Sequence, residues 1–273
     1  MTTSIRSVSG ADPAPPKRLY PVRADLRLAG ASPATVALVV LLVTSVLFLK
    51  WPGIDLAVSQ WFYTPDQGFL LKSSDLAGNV RSAGKVAFVT VAVAALGLLV
   101  TTFVSGRLRP VAPPSCCLYL LATLAVGPGL LVNGVLKNFW GRARPRHTLD
   151  FGGEWPFSPA WLDADHCAGN CSFVSGEAAV AFWLVGLTLV VPARLRIRTL
   201  AATLPFAAAV SLNRVLYGAH FLSDVVIAWA IIWVVLIVLS GIFLAPGRAA
   251  VLDRLFSRSG GPLKPAGIRR SNG

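Results

Sequence analysis

The stretch LSDVVIAWAIIWVVLIVLSGIFLA, residues 222–245, decides the fold class. After Asp224 it has no charged side chain, and Ile, Val, Leu and Trp fill most of its positions. A helix needs about 20 consecutive, mainly apolar residues to cross a bilayer. The stretch is therefore predicted to be a membrane-spanning helix with a carboxylate in its first turn.

Five further apolar runs of similar length precede it. Hydrophobic residues make up 55% of the 273 positions and charged residues only 14%, with a mean hydropathy of +0.65. A soluble domain of this length would be far more polar. The composition predicts an all-α, polytopic membrane protein with about six transmembrane helices. The predicted spans lie near residues 33–50, 84–105, 115–136, 175–191, 199–217 and 222–245.

Two of these spans contain proline. Gly127-Pro128-Gly129 predicts a kink in the third span, and Pro205 makes the fifth span the weakest.

The basic residues predict the orientation in the membrane. They concentrate in both terminal tails and in the short second and fourth loops, and six spans put these four segments on one side. By the positive-inside rule that side is the cytoplasm. The predicted location is a bacterial inner membrane, with both termini cytoplasmic and the remaining loops periplasmic.

Three regions are predicted along the chain. Residues 1–32 and 246–273 are rich in Pro, Gly, Ser and Arg and are predicted to be basic, disordered cytoplasmic tails, while residues 33–245 form the six-helix membrane domain. The basic leader is long and no clear cleavage site follows the first span, which argues against a secretory signal peptide. The net charge of +13 is scattered over tails and loops. Without a basic helix interleaved with aromatic residues, nucleic-acid binding is not expected.

Three polar groups of residues are predicted to meet at the outer ends of the helices. The first is KNFWGRARP, residues 137–145, which leaves the third span. The second is SGE, residues 175–177, at the start of the fourth span, and the third is NRVLYGAHFLSD, residues 213–224, between the last two spans. Arg142 and Arg146 are expected at most to assist in binding phosphate or anionic lipid.

This combination of side chains suits a phosphate group. Arginine binds phosphate oxygens through paired N–H groups, lysine adds a point charge, and a helix N-terminus presents unpaired N–H groups. Ser175 adds a hydroxyl, and Gly176 lets the backbone approach closely. His220 and Asp224 can share one helix face, so that the carboxylate fixes the imidazole tautomer and frees the other nitrogen to attack. The pattern predicts phosphoryl transfer to a histidine, with no metal and no cofactor.

In these residues the sequence resembles the type 2 phosphatidic-acid phosphatase superfamily. Lys137 through Pro145 resembles its first signature, K-x6-R-P, and Ser175-Gly176 matches the middle of its second, P-S-G-H. The third signature, S-R-x5-H-x3-D, is matched from Arg214 through His220 to Asp224. The resemblance implies metal-independent hydrolysis of a lipid phosphate, in which His220 is the nucleophile that forms a phosphohistidine and Asp224 orients it. The residues implied to hold the phosphate are Lys137, Arg144, Ser175, Gly176 and Arg214.

The sequence departs from the signatures at three positions. Val174, Asn213 and Glu177 stand where the family has proline, serine and histidine. The third departure matters most, because that histidine protonates the leaving oxygen in the family. Three readings of Glu177 stay open: a neutral general acid, a structural or substrate-positioning residue at the helix start, and a sign of impaired activity.

Two cysteines precede the second polar group. Cys167 and Cys171 lie four residues apart in a loop that is predicted to be periplasmic, where the oxidising environment permits a disulfide. The sequence leaves the bonded and the free forms equally open. A bond would brace the loop just before Ser175.

The predicted partners are the bilayer and a phosphorylated lipid, and the oligomeric state is left open. DLAVSQWFY, residues 55–63, and NCSFVSGE, residues 170–177, are similar to bacterial members that include lipid A phosphatases. Lipid A is therefore the first candidate substrate, with undecaprenyl pyrophosphate or phosphatidylglycerol phosphate as alternatives. A catalytically impaired relative that only binds anionic lipid is a further alternative. A transporter is disfavoured, because the polar residues cluster at helix ends rather than at mid-span.

Overall fold

A computed structural model describes residues 31–104 and 112–256 of the chain. Within these residues the regular secondary structure is helical apart from one short β-hairpin, and a long, largely irregular loop precedes α6. The helices are α1 (Pro33–Lys50), α2 (Gly53–Gln60), α3 (Asp75–Val104), α4 (Pro114–Leu124), α5 (Lys137–Phe139), α6 (Gly176–Trp183), α7 (Leu187–Val190), α8 (Ala193–Leu216), α9 (Leu222–Phe243) and α10 (Pro246–Phe256). The hairpin pairs β1 (Tyr63–Thr64) with β2 (Gly68–Phe69).

Five helical segments in the described residues are long and apolar enough to cross a membrane. They are Pro33–Lys50, Asp75–Thr102, Pro114–Phe139, Ala193–Leu216 and Leu222–Phe243. This confirms the predicted all-α, polytopic architecture.

The fourth predicted span is shorter than the other five. The apolar stretch Gly176–Val190 consists of α6, a 3₁₀ turn and α7. The break coincides with Gly186, where a Cβ atom would lie 2.6 Å from the side chain of Leu236 on α9. The helix is therefore irregular where it packs most closely against α9.

At the predicted kink in the third span, the helix widens instead of breaking. Residues Ala125–Leu136 form a π-helix that contains Pro128 and joins α4 to α5. The ring of Pro128 removes a backbone donor and blocks regular α-helical bonding. The side chain of Asn133 donates to the Pro128 carbonyl, at 2.7 Å, and so satisfies an acceptor that the wider helix leaves available.

Helix α9 lies at the centre of the bundle and packs against α1, α2, α4 and α6. In contrast, α1 and α3 expose most of their apolar side chains, which suits contact with lipid rather than with water. Two predicted boundaries shift: α3 begins at Asp75 instead of near residue 84, and α8 begins at Ala193 instead of near residue 199. Helix α8 continues through Pro205 and begins at Ala193, so the basic fourth loop is largely helical.

The predicted C-terminal tail also needs correction. Residues Pro246–Phe256 form α10, and Asp253 accepts a hydrogen bond of 2.8 Å from the backbone N–H of Ser115, in the first turn of α4. The carboxylate of Asp253 thus caps the start of α4. Because this contact joins α10 to the bundle, the ordered part of the chain extends beyond residue 245. The predicted N-terminal tail up to residue 30, and residues 257–273, lie outside the described residues.

Candidate active site

A tight turn between α8 and α9 carries His220. Gly218 adopts a left-handed conformation with φ of 66°, and a Cβ atom there would lie 2.3 Å from the ring of Phe69 in β2. Only glycine combines this backbone conformation with so close a neighbour. The outer hairpin thus packs over the turn, and His220 is left only 2% exposed.

The imidazole of His220 is held by a backbone carbonyl. Its Nδ1 lies 2.8 Å from the carbonyl oxygen of Ser172 but 3.6 Å from Asp224 Oδ2, which is too long for a hydrogen bond. A carbonyl oxygen can only accept, so Nδ1 carries the proton and Nε2 keeps its lone pair. The expected hydrogen bond from His220 to Asp224 is therefore replaced by one to the loop before α6.

The protonation state of His220 follows from its surroundings. Burial lowers the pKa of His220 to about 4, although Asp224 acts in the opposite direction. Lys137 and Arg144 lie close enough to lower the pKa further. The ring is therefore neutral at neutral pH, as a nucleophile requires.

Asp224 caps the start of α9 and is completely buried. Its Oδ2 accepts from the Phe221 backbone N–H at 2.9 Å and from the Ser172 hydroxyl at 2.5 Å, and its Oδ1 is 2.6 Å from Arg142 Nη1. Ser172 thereby contacts both members of the pair, His220 through its carbonyl and Asp224 through its hydroxyl. The carboxylate thus sits beneath the imidazole with its oxygens already saturated.

Arg142 links this carboxylate to a second one, Asp55 in α2. Arg142 Nη2 is 2.9 Å from Asp55 Oδ2, Nη1 donates to the Ser223 hydroxyl at 2.8 Å, and Nε donates to the Ser158 carbonyl at 2.8 Å. Asp55 also accepts from the backbone N–H and the hydroxyl of Ser223. Arg142, Asp55 and Asp224 are all 0% exposed. Arg142 therefore supports the site from within. Because it has no exposed surface, it does not assist in binding phosphate or anionic lipid, contrary to the expectation from the sequence.

Lys137 and Arg144 converge on a single loop residue, Asn170. Lys137 Nζ donates to Asn170 Oδ1 at 2.9 Å, and Arg144 Nη2 donates to the Asn170 carbonyl at 2.8 Å. Asn170 has a φ of 51°, and the loop around it is closed by a disulfide between Cys167 and Cys171. Burial, and the neighbouring cations Arg146 and Arg214, lower the pKa of Arg144. Such crowding of cations favours the binding of an anion.

The start of α6 packs directly against Lys137. The Ser175 hydroxyl accepts from the Ala178 backbone N–H at 3.3 Å and caps the helix. A Cβ atom on Gly176 would lie 2.8 Å from Asn133 Oδ1 and 3.2 Å from Lys137 Cε. Glycine at this position therefore lets the N-terminus of α6 approach the lysine.

Glu177 lies between two guanidinium groups. Arg81 Nε in α3 donates to Glu177 Oε1 at 2.6 Å, and Arg214 Nε at the end of α8 is 2.5 Å from Oε2 in an ion pair. Two cationic neighbours favour the ionised carboxylate. This arrangement supports the positioning reading of Glu177 and gives no support to a neutral general acid.

All the predicted site residues lie at the same end of the bundle and are linked by these contacts. Sequence reasoning missed four neighbours: Asp55, Arg81, Asn170 and Ser172. Asp55 had a detectable signal, because it is an isolated carboxylate in the otherwise apolar stretch GIDLAV, residues 53–58. Within residues 31–104 and 112–256, no three His, Cys, Asp or Glu side chains are grouped so that they could hold a metal ion.

Comparisons with known proteins show a family match over the part of the chain that contains the site. Residues 116–247 match the model of the PAP2 superfamily. A protein described as a lipid A 4'-phosphatase from Rhizobium leguminosarum is 50% identical over 109 residues, which cover 40% of this chain and 47% of that protein. A second protein with this description, from Rhizobium etli, is 50% identical over 113 residues, which cover 40% of this chain and 42% of that protein. One from Francisella tularensis subsp. novicida is 34% identical over 117 residues, covering 42% of this chain and 53% of that protein. The aligned regions thus span about half the length of these curated relatives.

A solved structure shares the fold. The crystal structure of a transmembrane PAP2-type phosphatidylglycerolphosphate phosphatase from Bacillus subtilis superposes with a TM-score of 0.53 at 17% identity, covering 77% of this chain and 96% of that one. The matched region 116–247 contains every predicted site residue, whereas Asp55 and Arg81 precede it. The similarity to the PAP2 superfamily therefore covers residues 116–247, slightly less than half of the chain.

Proposed function

We propose that this protein is an integral-membrane lipid phosphatase that removes the 4'-phosphate of lipid A. The family domain and the three relatives described as lipid A 4'-phosphatases support this proposal. The observation that carries the chemistry is the hydrogen bond of 2.8 Å between His220 Nδ1 and the Ser172 carbonyl. It leaves the Nε2 lone pair available as the nucleophile.

In the first step, Nε2 of His220 attacks phosphorus, an N–P bond forms, and the bond from phosphorus to the lipid oxygen breaks. The imidazole ring becomes positively charged, and the Ser172 carbonyl and the Asp224 carboxylate stabilise that charge from below. Lys137, Arg144 and Arg214 stabilise the phosphate oxygens, together with the N-terminus of α6. In the second step, water attacks the phosphohistidine, releases inorganic phosphate and restores the neutral ring.

Glu177 acts as a positioning residue in this scheme. Its carboxylate holds Nε of Arg214 and so orients the remaining N–H groups of the guanidinium. Because it is held in its ionised form by two arginines, the departing lipid oxygen takes its proton from water rather than from Glu177. The cations around the phosphate lower the energy of that oxygen while it carries negative charge.

The proposed orientation has both termini in the cytoplasm and the site at the periplasmic face of a bacterial inner membrane. The basic tails and loops support it through the positive-inside rule. Reporter fusions at residues 273 and 105–111 should both report a cytoplasmic position. A periplasmic signal from either fusion would contradict this orientation.

Phosphate release from purified full-length protein tests the function. We expect metal-independent release from lipid A, an acid-labile and alkali-stable phosphoprotein in rapid-quench samples, and loss of both in His220→Ala. His166→Ala is the matched control, because His166 lies in a different loop, between α5 and α6, where it stacks on Trp155. Undiminished release by His220→Ala would refute the nucleophile, and inhibition by EDTA would refute metal independence. If undecaprenyl pyrophosphate or phosphatidylglycerol phosphate is turned over in preference to lipid A, that lipid replaces lipid A as the proposed substrate. If the protein binds these lipids but hydrolyses none of them, it is a catalytically impaired, lipid-binding relative.

A further inference from the structure

A cavity between α3, the π-helix and α6 adjoins the phosphate site and shares Lys137, Gly176 and Glu177 with it. Its volume is about 210 Å³, and its polar lining consists of Arg81, Lys85, Asn133, Lys137 and Glu177. Pockets that enclose a whole drug-sized ligand measure about 300–1,000 Å³. This cavity therefore suits one chemical group of a larger molecule.

The charge in this cavity is unbalanced. Besides Lys137, which belongs to the phosphate site, Arg81 and Lys85 contribute two cations, and the single carboxylate of Glu177 is shared with Arg214. In the described part of the chain, Arg81 uses only Nε for hydrogen bonding, which leaves its terminal N–H groups available, and Lys85 has no hydrogen bond or ion pair. The protein thus supplies more cationic donors here than its own carboxylates can neutralise.

Lys85 is exposed and lies ten residues into α3, about 15 Å along the helix axis, directly before the uncharged stretch 86–104. It is thus the last ionisable side chain of α3 on the side of the phosphate site, at the edge of the apolar stretch, where its long side chain can extend towards an anionic group of a bound lipid. Arg81 lies one turn nearer the helix start, so both side chains can reach the same bound group.

We propose that Arg81 and Lys85 bind a second acidic group of the substrate headgroup, separate from the phosphate that is hydrolysed. The inference rests on the proposed function, since it assigns the substrate as a lipid with two anionic groups. Glu177 couples the two positions, because one carboxylate holds Nε of Arg214 at the first and Nε of Arg81 at the second. Both arginines then present their terminal N–H groups to anions.

Two forms of one lipid test this subsite. Full-length protein in phosphatidylcholine bilayers is assayed with lipid A that bears two phosphates and with the form that bears only the 4'-phosphate. We expect the wild type to prefer the bisphosphate, and Lys85→Gln to reduce the ratio of the two kcat/KM values about tenfold, mainly through KM. Lys50→Gln, an exposed lysine at the same end of the bundle, is the matched control and should leave the ratio unchanged.

Three outcomes would overturn the subsite. An unchanged ratio in Lys85→Gln would mean that this lysine only extends towards lipid headgroups. An equal loss on both lipids would assign Lys85 to the hydrolysed phosphate. An effect of Lys85→Gln that appears only after phosphatidylglycerol is added to the bilayer would assign the anion to a neighbouring lipid.

A binding measurement separates this test from the proposed function. The two lipids are bound to the His220→Ala protein with and without Lys85→Gln, and the ratio of Kd values should change by the same factor of about ten. If wild-type protein releases no phosphate, the proposed function fails, while the Kd ratio still decides whether the second anionic group is recognised.

Discussion

Two charged clusters meet at His220, and they differ in both burial and balance. The inner cluster, Asp55, Arg142 and Asp224, is completely buried and has two carboxylates for one guanidinium. The outer cluster, Lys137, Arg144, Arg214, Arg81 and Glu177, has four cations for one carboxylate and is partly exposed except for Arg214, which is buried. The inner excess of negative charge favours a positive imidazole ring, and the outer excess of positive charge favours a phosphate. The nucleophile lies where these two requirements of phosphohistidine formation meet.

The difference in burial separates a structural role from a binding role. A buried ion pair whose partners are fully hydrogen-bonded becomes strongly destabilising when one partner is removed, because a charge is left without water or a counter-ion. An exposed cation can be removed with little effect on folding, because water solvates what remains. We therefore expect variants of the inner cluster to lose stability and variants of the outer cluster to lose substrate affinity.

The largest expected effect is that of Arg142→Met. The change leaves Asp55 and Asp224 buried without their shared cation, and we expect a loss of about 3–5 kcal/mol of unfolding free energy. Thermal or denaturant unfolding in detergent measures it. Arg146→Met is the matched control, since Arg146 is only partly buried and packs over Tyr217, and it should cost far less.

A second variant sharpens that result. Adding Asp55→Asn to Arg142→Met removes one of the two unpaired charges and should restore part of the lost stability. If Arg142→Met is instead as stable as the wild type but inactive, the inner cluster is not structural and the contrast between the clusters fails.

Glu177→Gln is expected to have an intermediate effect, on substrate affinity. The amide keeps the shape but no longer neutralises Arg81 and Arg214, so their orientation is lost and KM should rise about tenfold with kcat within about twofold. The loss of orientation outweighs the gain in net positive charge, because guanidinium binds phosphate through paired, directional N–H bonds. A general acid would behave differently, with kcat falling by a factor of about 100 or more.

The pH profile of Glu177→Gln provides an independent check. His220 must be neutral to attack, and its pKa is lowered to about 4 by burial, so activity should be lost as pH falls through about 4 and present above it. This acidic limb should be the same in wild type and Glu177→Gln. A basic limb that is present in the wild type and absent in the variant would restore the general-acid reading.

The sequence was sufficient for the spans but not for the inner cluster. Whether a stretch enters lipid depends on its own composition, so the apolar runs predicted six spans. Five of them correspond to helices long enough to cross a membrane in the described residues, and the fourth is the shorter stretch Gly176–Val190. Which carboxylate meets which arginine depends on how helices pack. Asp55 reaches Arg142 from 87 residues away, and Arg81 reaches Glu177 from 96 residues away. Spacing within one motif carries no information about such pairs.

The His220 and Asp224 pair shows a subtler limit. Spacing of four residues suggested one helix face, but α9 begins at Leu222, so His220 lies outside the helix. Asp224 instead folds back to cap the helix through the Phe221 N–H, and Nδ1 of His220 turns to the Ser172 carbonyl. The backbone's need to satisfy its first N–H groups therefore decides the partner of the imidazole.

The smallest expected effect concerns the loop that holds the outer cations. The disulfide between Cys167 and Cys171 closes the loop that presents Asn170, and both oxygens of Asn170 accept from Lys137 and Arg144. Replacing both cysteines by serine should loosen these two hydrogen bonds and raise KM by a factor of about two to five, with little change in unfolding free energy. Dithiothreitol provides the control. It should raise KM of the wild type towards that of the double variant and leave KM of the variant unchanged. Cys116 and Cys117 are present in both proteins, so any effect of reductant on them would appear in both. If reductant affects both proteins equally, the loop disulfide does not position Asn170, and the outer cluster is organised by Glu177 alone.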